Sequence, residues 1–374
     1  MIFLDNASTT QVSLGCLNIF TKYQMDNFYN PSALYHQSLM LNREIKQAKE
    51  DILKTLRGNG NIIFTSSGTE SNNLALFGSK KPNGARIIVS QSEHPAVYNT
   101  ANELKQRGYD VVFCEVDSNG RVIEEEFIKL MNKDTCLVSI MHVNNETGCI
   151  NDIKKLCSIA KSVNDKVIFH SDGVQAIGKI KVLLEDLGVD LYTISGHKIH
   201  APKGVAGLFV KNRVNLKPIL FGGGQEEGIR SSTENVGGIL ALANAIKESV
   251  VAQRESEAKI KEIREDLVKF FMEKDFIVSN SIAQSNYILC VAMKSVRGEV
   301  LLHALEKHGV LIGTGSACSS KKGVKRLPSI LKLSDEYKNG IIRISFNCFT
   351  SKDDIEYFKN AFNLEYINLL KYVQ

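Results

Sequence analysis

The sequence has few of the features that mark several large classes of protein. Its 374 residues include six prolines and 27 glycines, which argues against long disordered linkers. No apolar segment approaches the roughly 18 residues that a membrane-spanning helix needs, so we expect no contact with a membrane. The first residues, Met-Ile-Phe-Leu-Asp, contain no positively charged region, and we therefore expect no signal peptide.

Charge and cysteine usage exclude further classes. The formal net charge is +5, and long basic runs interleaved with aromatic residues are lacking, so we expect no direct binding of nucleic acid. None of the eight cysteines forms a Cys-x-x-Cys pair, which argues against zinc ribbons and thioredoxin-like motifs, and we expect no metal site. Without a secretory signal the cysteines are expected to be reduced thiols of a cytoplasmic protein.

Short β-rich runs alternate with helical patterns in the first half of the chain. Strands separated by helices of 10 to 15 residues predict a mostly parallel sheet that is covered on both faces. Ligands bind such sheets at the carboxyl ends of the strands. The strands are predicted at 61–65, 86–90, 110–114, 136–141 and 166–170, and two of the helices at 92–107 and 153–163.

The chain after residue 235 has a different pattern. Residues 235–271 have few helix breakers and many Ala, Glu and Lys residues, which predicts one or two long helices that link two domains. A smaller α+β domain is expected to follow. Its strand, helix and strand are predicted at 286–293, 298–308 and 341–346.

Lys198 is the most informative single residue. An apolar strand runs into a small-residue turn that carries His197 and Lys198. A lysine at such a strand end is poorly solvated, so its amine is able to lose its proton near neutral pH and to attack a carbonyl. An enzyme that holds pyridoxal 5'-phosphate (PLP) as a Schiff base needs such an amine. A lysine taken alone is more often a solvated surface charge, so the interpretation depends on its neighbours.

Two clusters follow earlier strands. Residues 64–73 open a helix whose N-terminal N–H groups are suited to phosphate, where Gly68 permits close approach and Thr69 adds a hydroxyl. The alternative is a plain Ser/Thr cap of the helix. His94 follows the next strand, where an imidazole stacks on an aromatic cofactor or relays a proton. A structural histidine at a helix start is the alternative.

Two more clusters follow later strands. Asn144 or Asn145 is placed to donate to a phenolate oxygen, unless both only stabilise a turn. Asp172 is placed to keep a pyridine nitrogen protonated, with Gln175 near the ring oxygen, unless Asp172 is a helix cap. Polar clusters therefore end five successive strands, with Lys198 last. Their joint occurrence at one edge of one sheet favours the functional interpretation.

Two segments remain. Residues 221–235 are rich in glycine but lack the Rossmann spacing. The segment is still able to present Thr233 to a phosphate, and the presence of Arg230 and Glu234 argues against the alternative of a merely flexible surface loop. Cys318 is flanked by small and polar residues, in surroundings that favour a thiolate. Arg343, in a later strand, is a candidate to bind a substrate carboxylate through its planar fork.

Together these residues resemble the cysteine desulfurases of the NifS/IscS type, within the class V aminotransferase group of fold-type I PLP enzymes. The resemblance rests on Leu-Asp-Asn-Ala-Ser-Thr-Thr at 4–10, on Ser-Gly-His-Lys ending at Lys198, and on Ser-Ala-Cys-Ser-Ser around Cys318. It implies an α/β fold with a mostly parallel seven-stranded sheet flanked by helices. The implied large PLP-binding domain is 15–255, and the implied small α+β domain combines 1–14 with 256–374.

The resemblance also implies a role for each candidate residue. Lys198 would carry PLP, Cys318 would accept the sulfur, and Arg343 would bind the substrate's carboxylate together with Asn145. The remaining contacts would be with the cofactor: His94 on the ring face, Asp172 at the pyridine nitrogen, Gln175 and Asn145 at the ring oxygen, and Gly68, Thr69, Ser195, His197 and, from a partner subunit, Thr233 at the phosphate.

The implied reaction converts L-cysteine to L-alanine and leaves a persulfide on Cys318. A homodimer and a sulfur-acceptor protein are implied as partners, the acceptor being a scaffold for iron–sulfur clusters or an enzyme of tRNA thiolation or cofactor synthesis. Three alternatives stay open: a selenocysteine lyase, a small-amino-acid aminotransferase of the same fold, and a non-catalytic sulfur carrier on a decayed enzyme fold.

Overall fold

The computed structural model describes residues 1–279, 283–314 and 326–372. Its strands form two sheets that are numbered here along the chain. The strands are β1 (Ile2–Leu4), β2 (Gly60–Thr65), β3 (Arg86–Ser90), β4 (Asp110–Cys114), β5 (Thr135–Ser139), β6 (Ile168–Asp172), β7 (Leu191–Ser195), β8 (Ala206–Lys211), β9 (Ile277–Val278), β10 (Ile288–Ala292), β11 (Val310–Thr314) and β12 (Ile341–Ser345).

The helices alternate with the strands over most of the chain. Within the described ranges none of them has the length and apolarity needed to cross a bilayer. The helices are α1 (Leu14–Met25), α2 (His36–Leu56), α3 (Gly68–Gly78), α4 (Pro95–Gln106), α5 (Glu124–Leu130), α6 (Ile153–Val163), α7 (Leu184–Leu187), α8 (Val236–Met272), α9 (Gly298–Glu306), α10 (Arg326–Ile330) and α11 (Lys352–Leu370).

The larger sheet has seven strands in the order β2-β8-β7-β6-β5-β3-β4. From β7 to β4 all neighbours are parallel, whereas β8 is antiparallel to both β7 and β2. Both faces are covered, because Ile88 packs in one hydrophobic cluster while Ile87 and Val89 pack in another on the opposite face. The predicted mostly parallel seven-stranded sheet is confirmed.

The order of the strands corrects one detail of the sequence analysis. Polar clusters follow β2, β3, β5, β6 and β7, but β4 contributes none, so the five strands are not successive along the chain. The reason is that β4 is an edge strand, paired only with β3, and its end lies away from the centre of the sheet. The clusters after β3, β5, β6 and β7 do come from four strands adjacent in the sheet.

The smaller sheet joins the two ends of the chain. Its order is β1-β11-β12-β10-β9, with β1 parallel to β11 and the other neighbours antiparallel. Pairing of β1 with β11 brings the segment after Leu4 to the edge of the larger sheet, where Ala7 packs in the main core.

One continuous helix links the two cores. Where the sequence pattern left one or two helices open, α8 runs unbroken over 37 residues. Ile246 packs in the core of the larger sheet, and Ile260 packs in the core of the smaller one. The proposed domain boundary at 255/256 falls within α8, between these two residues.

Candidate active site

A cavity of about 290 Å³ lies at the carboxyl ends of the strands of the larger sheet. Thr233 does not line it, and Cys318 lies outside the described residues. The other predicted site residues all line this one cavity: Gly68, Thr69, His94, Asn145, Asp172, Gln175, Ser195, His197, Lys198 and Arg343.

The N-terminus of α3 forms one wall of the cavity. Ser67 caps the helix by accepting a hydrogen bond from the Glu70 N–H at 3.2 Å. A Cβ added to Gly68 would lie 3.0 Å from Cγ2 of Val174 and 3.4 Å from Cβ of Ser195, so glycine is what permits this close packing. N–H groups of a first helical turn have no intrahelical acceptor, and the helix dipole attracts anions there.

Asp172 lies at the centre of the sheet edge as the last residue of β6. Its Oδ2 accepts a hydrogen bond of 2.7 Å from Nδ2 of Asn72, and its Oδ1 accepts one of 3.0 Å from the Val174 N–H. Both oxygens are thus fixed on a buried side chain. The sequence analysis missed Asn72, although it lies within the segment 64–73 that drew attention to α3.

His94 is the N-cap of α4. Its Nδ1 accepts a hydrogen bond of 3.1 Å from the Ala96 N–H, which fixes the ring at the cavity wall. Burial lowers the pKa of His94 below its usual value, and the charges of Lys198 and Arg326 act in the same direction against that of Asp172. A neutral, flat ring in this position is suited to stacking on an aromatic ligand.

Lys198 lies in the turn after β7, next to the N-terminal segment. Its Nζ donates to the carbonyl oxygens of Ala7 at 2.7 Å and Ser8 at 2.6 Å. His197 is held by a contact of 3.1 Å between its Nδ1 and Oγ1 of Thr9. The motif at 4–10, which carried the family resemblance without an assigned chemical role, therefore forms part of the cavity wall.

The structure separates the roles of Asn144 and Asn145. Asn144 donates to the Ser92 carbonyl at 3.0 Å and accepts from the N–H groups of Glu146 and Thr147, so its side chain stabilises the turn after β5. Asn145 is the asparagine that lines the cavity. Asn144 does not line it.

Arg343 projects from β12 into the same cavity. Its Nη1 donates to the Asn145 carbonyl at 2.8 Å, and its Nη2 donates to Oδ1 of Asp5 at 2.7 Å and to Oγ of Ser8 at 2.6 Å. Among the described residues the buried Nε has no hydrogen-bond partner. The guanidinium of Arg343 is thus held through both terminal nitrogens at the wall of the cavity.

The class V aminotransferase family model matches residues 2–358 of the chain. The chain is 34% identical over 364 residues to the cysteine desulfurase IscS of Dictyoglomus turgidum. The match covers 95% of this chain and 92% of the relative. It is 36% identical over 327 residues to a cysteine desulfurase of Nostoc sp., and this match covers 86% of this chain and 81% of the relative. The chain belongs to the cysteine desulfurases of the class V aminotransferase family.

Solved structures agree with this assignment. A NifS-like protein matches with a TM-score of 0.90 and 31% identity, over 98% of this chain and 99% of that chain. The structure of SspA in complex with cysteine matches with a TM-score of 0.79 and 27% identity, over 94% of this chain and 100% of that chain. The predicted family and fold class of this desulfurase are confirmed, and the family is PLP-dependent.

Two carboxyl groups of the desulfurase's cavity escaped the sequence analysis. Glu93 is buried, and its Oε1 accepts a hydrogen bond of 2.6 Å from the Met141 N–H. Burial raises the pKa of Glu93 well above its usual value. Burial also raises the pKa of Glu146, against the opposing charges of Arg343 and Arg326. Both residues flank predicted site residues, but a charged residue beside a strand end gives no sign of whether it points inward.

Arg326 is a further cavity residue that the sequence did not indicate. Its guanidinium lies over the ring of Tyr98, 3.9 Å from the ring centroid. Its Nη2 donates to the Glu93 carbonyl at 2.8 Å, and its Nη1 donates to the Gln91 carbonyl at 3.3 Å. These contacts fasten the start of α10 to the loop after β3.

The glycine-rich loop of the desulfurase contacts α2, α3 and β2, where Oε2 of Glu226 accepts a hydrogen bond of 3.0 Å from the Phe64 N–H. Arg230 pairs with Glu70 at 2.6 Å, and Glu226 pairs with Lys49 at 2.9 Å. Thr233 lines a separate cavity of about 170 Å³. Within one chain, Thr233 is therefore not brought together with the other predicted phosphate ligands.

Proposed function

We propose that this desulfurase binds PLP at Lys198, takes the sulfur of L-cysteine onto Cys318 as a persulfide and releases L-alanine. The observation that carries the proposal is the cavity in which Lys198, Asp172 and His94 meet the open N-terminus of α3. When bound, PLP supplies an electron sink for negative charge at the α-carbon of an amino acid.

The residues of the cavity fit each part of the cofactor. Gly68 allows the first turn of α3 to pack closely on the strand ends, and the polar residues Thr69, Ser195 and His197 line the cavity beside it. A carboxylate, an imidazole and a primary amine complete the chemistry that the group needs. We assign the phosphate to Gly68, Thr69, Ser195 and His197, the pyridine nitrogen to Asp172, the ring face to His94, the phenolic oxygen to Gln175 and Asn145, and the aldehyde to Lys198.

Arg343 and Lys198 would act on the substrate. The guanidinium of Arg343 would bind the carboxylate of cysteine, with Asn145 beside it, because both line the cavity and a planar fork matches a carboxylate. The amine of Lys198, once free, would take the proton from the α-carbon.

Cys318 would receive the sulfur. Its thiolate would attack the sulfur atom of cysteine, so that an S–S bond forms while the carbon–sulfur bond breaks and its electron pair, with a proton, stays on the carbon as alanine. Thr314 lines the cavity only four positions before Cys318, and four extended residues span at most about 14 Å. Arg326, the next described residue, lines the same cavity. Both observations support access of Cys318 to the substrate.

A second copy of the chain would complete the site. Thr233 lies apart from the cavity of its own chain, in keeping with a role at the partner's phosphate site. Large apolar side chains are exposed on α1, on the loop after it and on the glycine-rich loop, and exposed apolar groups of this kind are a feature of protein interfaces. The most exposed of them are Leu14, Met25, Phe28, Leu34 and Phe221.

The sulfur would pass to an acceptor protein, either a scaffold for iron–sulfur clusters or an enzyme of tRNA thiolation or cofactor synthesis. We place the reaction in the cytoplasm. The cysteines in the described ranges are free thiols, as suits a reducing compartment.

Borohydride reduction followed by peptide mass mapping tests the central assignment. The expected result is a reduced PLP adduct on Lys198 of the purified protein, together with alanine formation from cysteine in the absence of any keto acid. An untagged Lys198 would overturn the proposal. A need for a keto acid would indicate an aminotransferase, and a strong preference for selenocysteine would indicate a selenocysteine lyase.

The role of Cys318 has its own test. Cys318→Ala is expected to keep the visible absorbance of the cofactor and to lose persulfide formation. Cys136→Ala, at the opposite end of β5 from the cavity, is the matched control and should retain both. Undiminished sulfur transfer by Cys318→Ala would rule out this thiol as the acceptor.

A further inference from the structure

Lys179 is a buried lysine that the proposed reaction does not use. It follows β6, and its Nζ donates to Oε1 of Gln175 at 2.9 Å. Lys179 does not line the main cavity, whereas Gln175 does. With Lys198 it lines a second, smaller cavity of about 60 Å³. Within the described part of the chain, the hydrogen bond of its ammonium therefore ends on a residue assigned to the cofactor.

The chemistry of the two side chains fixes the orientation of the Gln175 amide. An ammonium group has donors only, so the amide oxygen must face Lys179 and the amide nitrogen must face the other way. One N–H of that nitrogen donates to the Ala7 carbonyl at 2.8 Å. The second N–H is then left for an acceptor in the main cavity. The Ala7 carbonyl only accepts and so favours the same orientation, while Lys179 supplies the contact that holds the oxygen end of the amide.

The buried position of Lys179 and two nearby positive charges affect the protonation of its amine. Burial, with the charges of Lys198 and Arg343, lowers the pKa of Lys179 to about 7. An ammonium donates a stronger hydrogen bond than a neutral amine, so the orientation is held best below this value. The other titratable groups around Lys179 are His197 and four residues that line the small cavity. Burial lowers the pKa of His197, and the charge of Lys179 adds to that effect. The four residues of the small cavity are His200, Glu248, Tyr287 and Cys348.

We propose that Lys179 is a positioning residue that holds the Gln175 amide with an N–H directed to the phenolic oxygen of PLP. The inference rests on the proposed function, since it needs the cofactor in this cavity. A donor to the phenolic oxygen weakens the hold of that oxygen on the proton of the Lys198–PLP linkage. Loss of the donor must therefore keep that linkage protonated to higher pH.

The test is a visible-light pH titration of the holoenzyme, with the dissociation constant of PLP as a second readout. Lys179→Met is expected to raise the midpoint of the absorbance change by about one pH unit, the scale of one lost hydrogen bond to a charged group. PLP is expected to dissociate several-fold more readily. Lys181→Met, an exposed neighbour, is the matched control and should match the wild type.

Two further variants separate positioning from a general effect of charge or packing. Lys179→Arg restores both the donor and the positive charge in a side chain of different shape, so it tests packing and should recover most of the shift. Lys179→Met combined with Gln175→Leu should behave as Gln175→Leu alone, because the lysine acts through the glutamine. Additive shifts in the double variant would mean that the charge acts through space, and would overturn the inference.

The outcomes also distinguish this inference from the proposed function. Wild-type protein without a PLP adduct at Lys198 would defeat the proposed function. A normal wild-type titration that Lys179→Met leaves unchanged would defeat only the role of Lys179. If Lys179→Met fails to fold, Lys179→Gln replaces it and should give a smaller shift in the same direction, since its amide both donates and accepts. An unshifted Lys179→Gln would count against the inference in the same way.

Discussion

Nη2 of Arg343 lies 2.7 Å from Oδ1 of Asp5, so residues from opposite ends of the chain form one ion pair at the cavity. The pairing of β1 with β11, which itself pairs with β12, brings the two residues together. Gly313 closes over them, since a Cβ there would lie 2.6 Å from Oδ1 of Asp5. The ion pair holds the guanidinium in the orientation that we assign to binding of the substrate's carboxylate.

Asp5→Asn should therefore weaken the binding of cysteine. The neutral amide no longer fixes Arg343, and we expect KM to rise by about tenfold, equivalent to one lost charge-assisted contact, with a much smaller change in kcat. Steady-state kinetics of alanine formation measure both constants. The control is Asp335→Asn, which breaks the exposed pair with Lys338. A fall in kcat at unchanged KM would argue against this role.

Asn72 should control the affinity for PLP through Asp172. Asn72→Ala removes the 2.7 Å hydrogen bond to Oδ2, and the carboxylate is then free to turn away from the pyridine nitrogen. We expect PLP to bind about tenfold more weakly, as for the loss of one hydrogen bond to a charged group. Equilibrium titration of the apoprotein with PLP measures this, with Asn73→Ala on the same helix as the control. Equal affinities in the two variants would contradict the prediction.

Gly68 should be needed for close packing of α3 on the strand ends. The methyl group of Gly68→Ala would lie 3.0 Å from Cγ2 of Val174, so either Val174 or the helix N-terminus at the phosphate site must give way by a few tenths of an ångström. Overpacking of this kind costs about 1–3 kcal/mol, and we expect PLP affinity to fall at least about fivefold. The double variant with Val174→Ala should recover much of the loss. Failure of that second change to rescue binding would place the cause elsewhere.

The sequence allowed prediction of the strands and of most cavity residues, because buried parallel strands are short apolar runs and their ends carry the polar groups. The strands predicted at 86–90 and 110–114 match β3 and β4 at both ends, but the strand predicted at 166–170 is Ile168–Asp172, so Asp172 ends the strand itself. Apolar runs do not mark where hydrogen bonding of a ladder stops. The pairing of Asp5 with Arg343, and the inward orientation of Glu93, depend on tertiary packing that no local pattern contains.

Two buried histidines should make the fold less stable in acid. His170 contacts Ser139 at 2.8 Å and Thr193 at 3.0 Å, and burial lowers its pKa to about 3. Burial lowers the pKa of His142, which contacts Tyr192 at 2.8 Å, to about 4. Unfolded histidines titrate near pH 6.5. The unfolded chain therefore binds more protons between pH 6.5 and these values, and stability falls as the pH falls through that window.

Each buried histidine should cost the apoprotein about 2 kcal/mol of unfolding free energy between pH 7.5 and pH 5, since a pKa difference of one unit corresponds to about 1.4 kcal/mol. His170→Gln keeps a polar group but cannot be protonated, so it should be less stable than wild type at pH 7.5 and lose about 2 kcal/mol less on acidification. Urea unfolding at the two pH values measures the difference. His303→Gln, an exposed site, is the control and should follow the wild type. If His170→Gln loses as much stability in acid as the wild type, then His170 is not held neutral by its burial beneath the cavity.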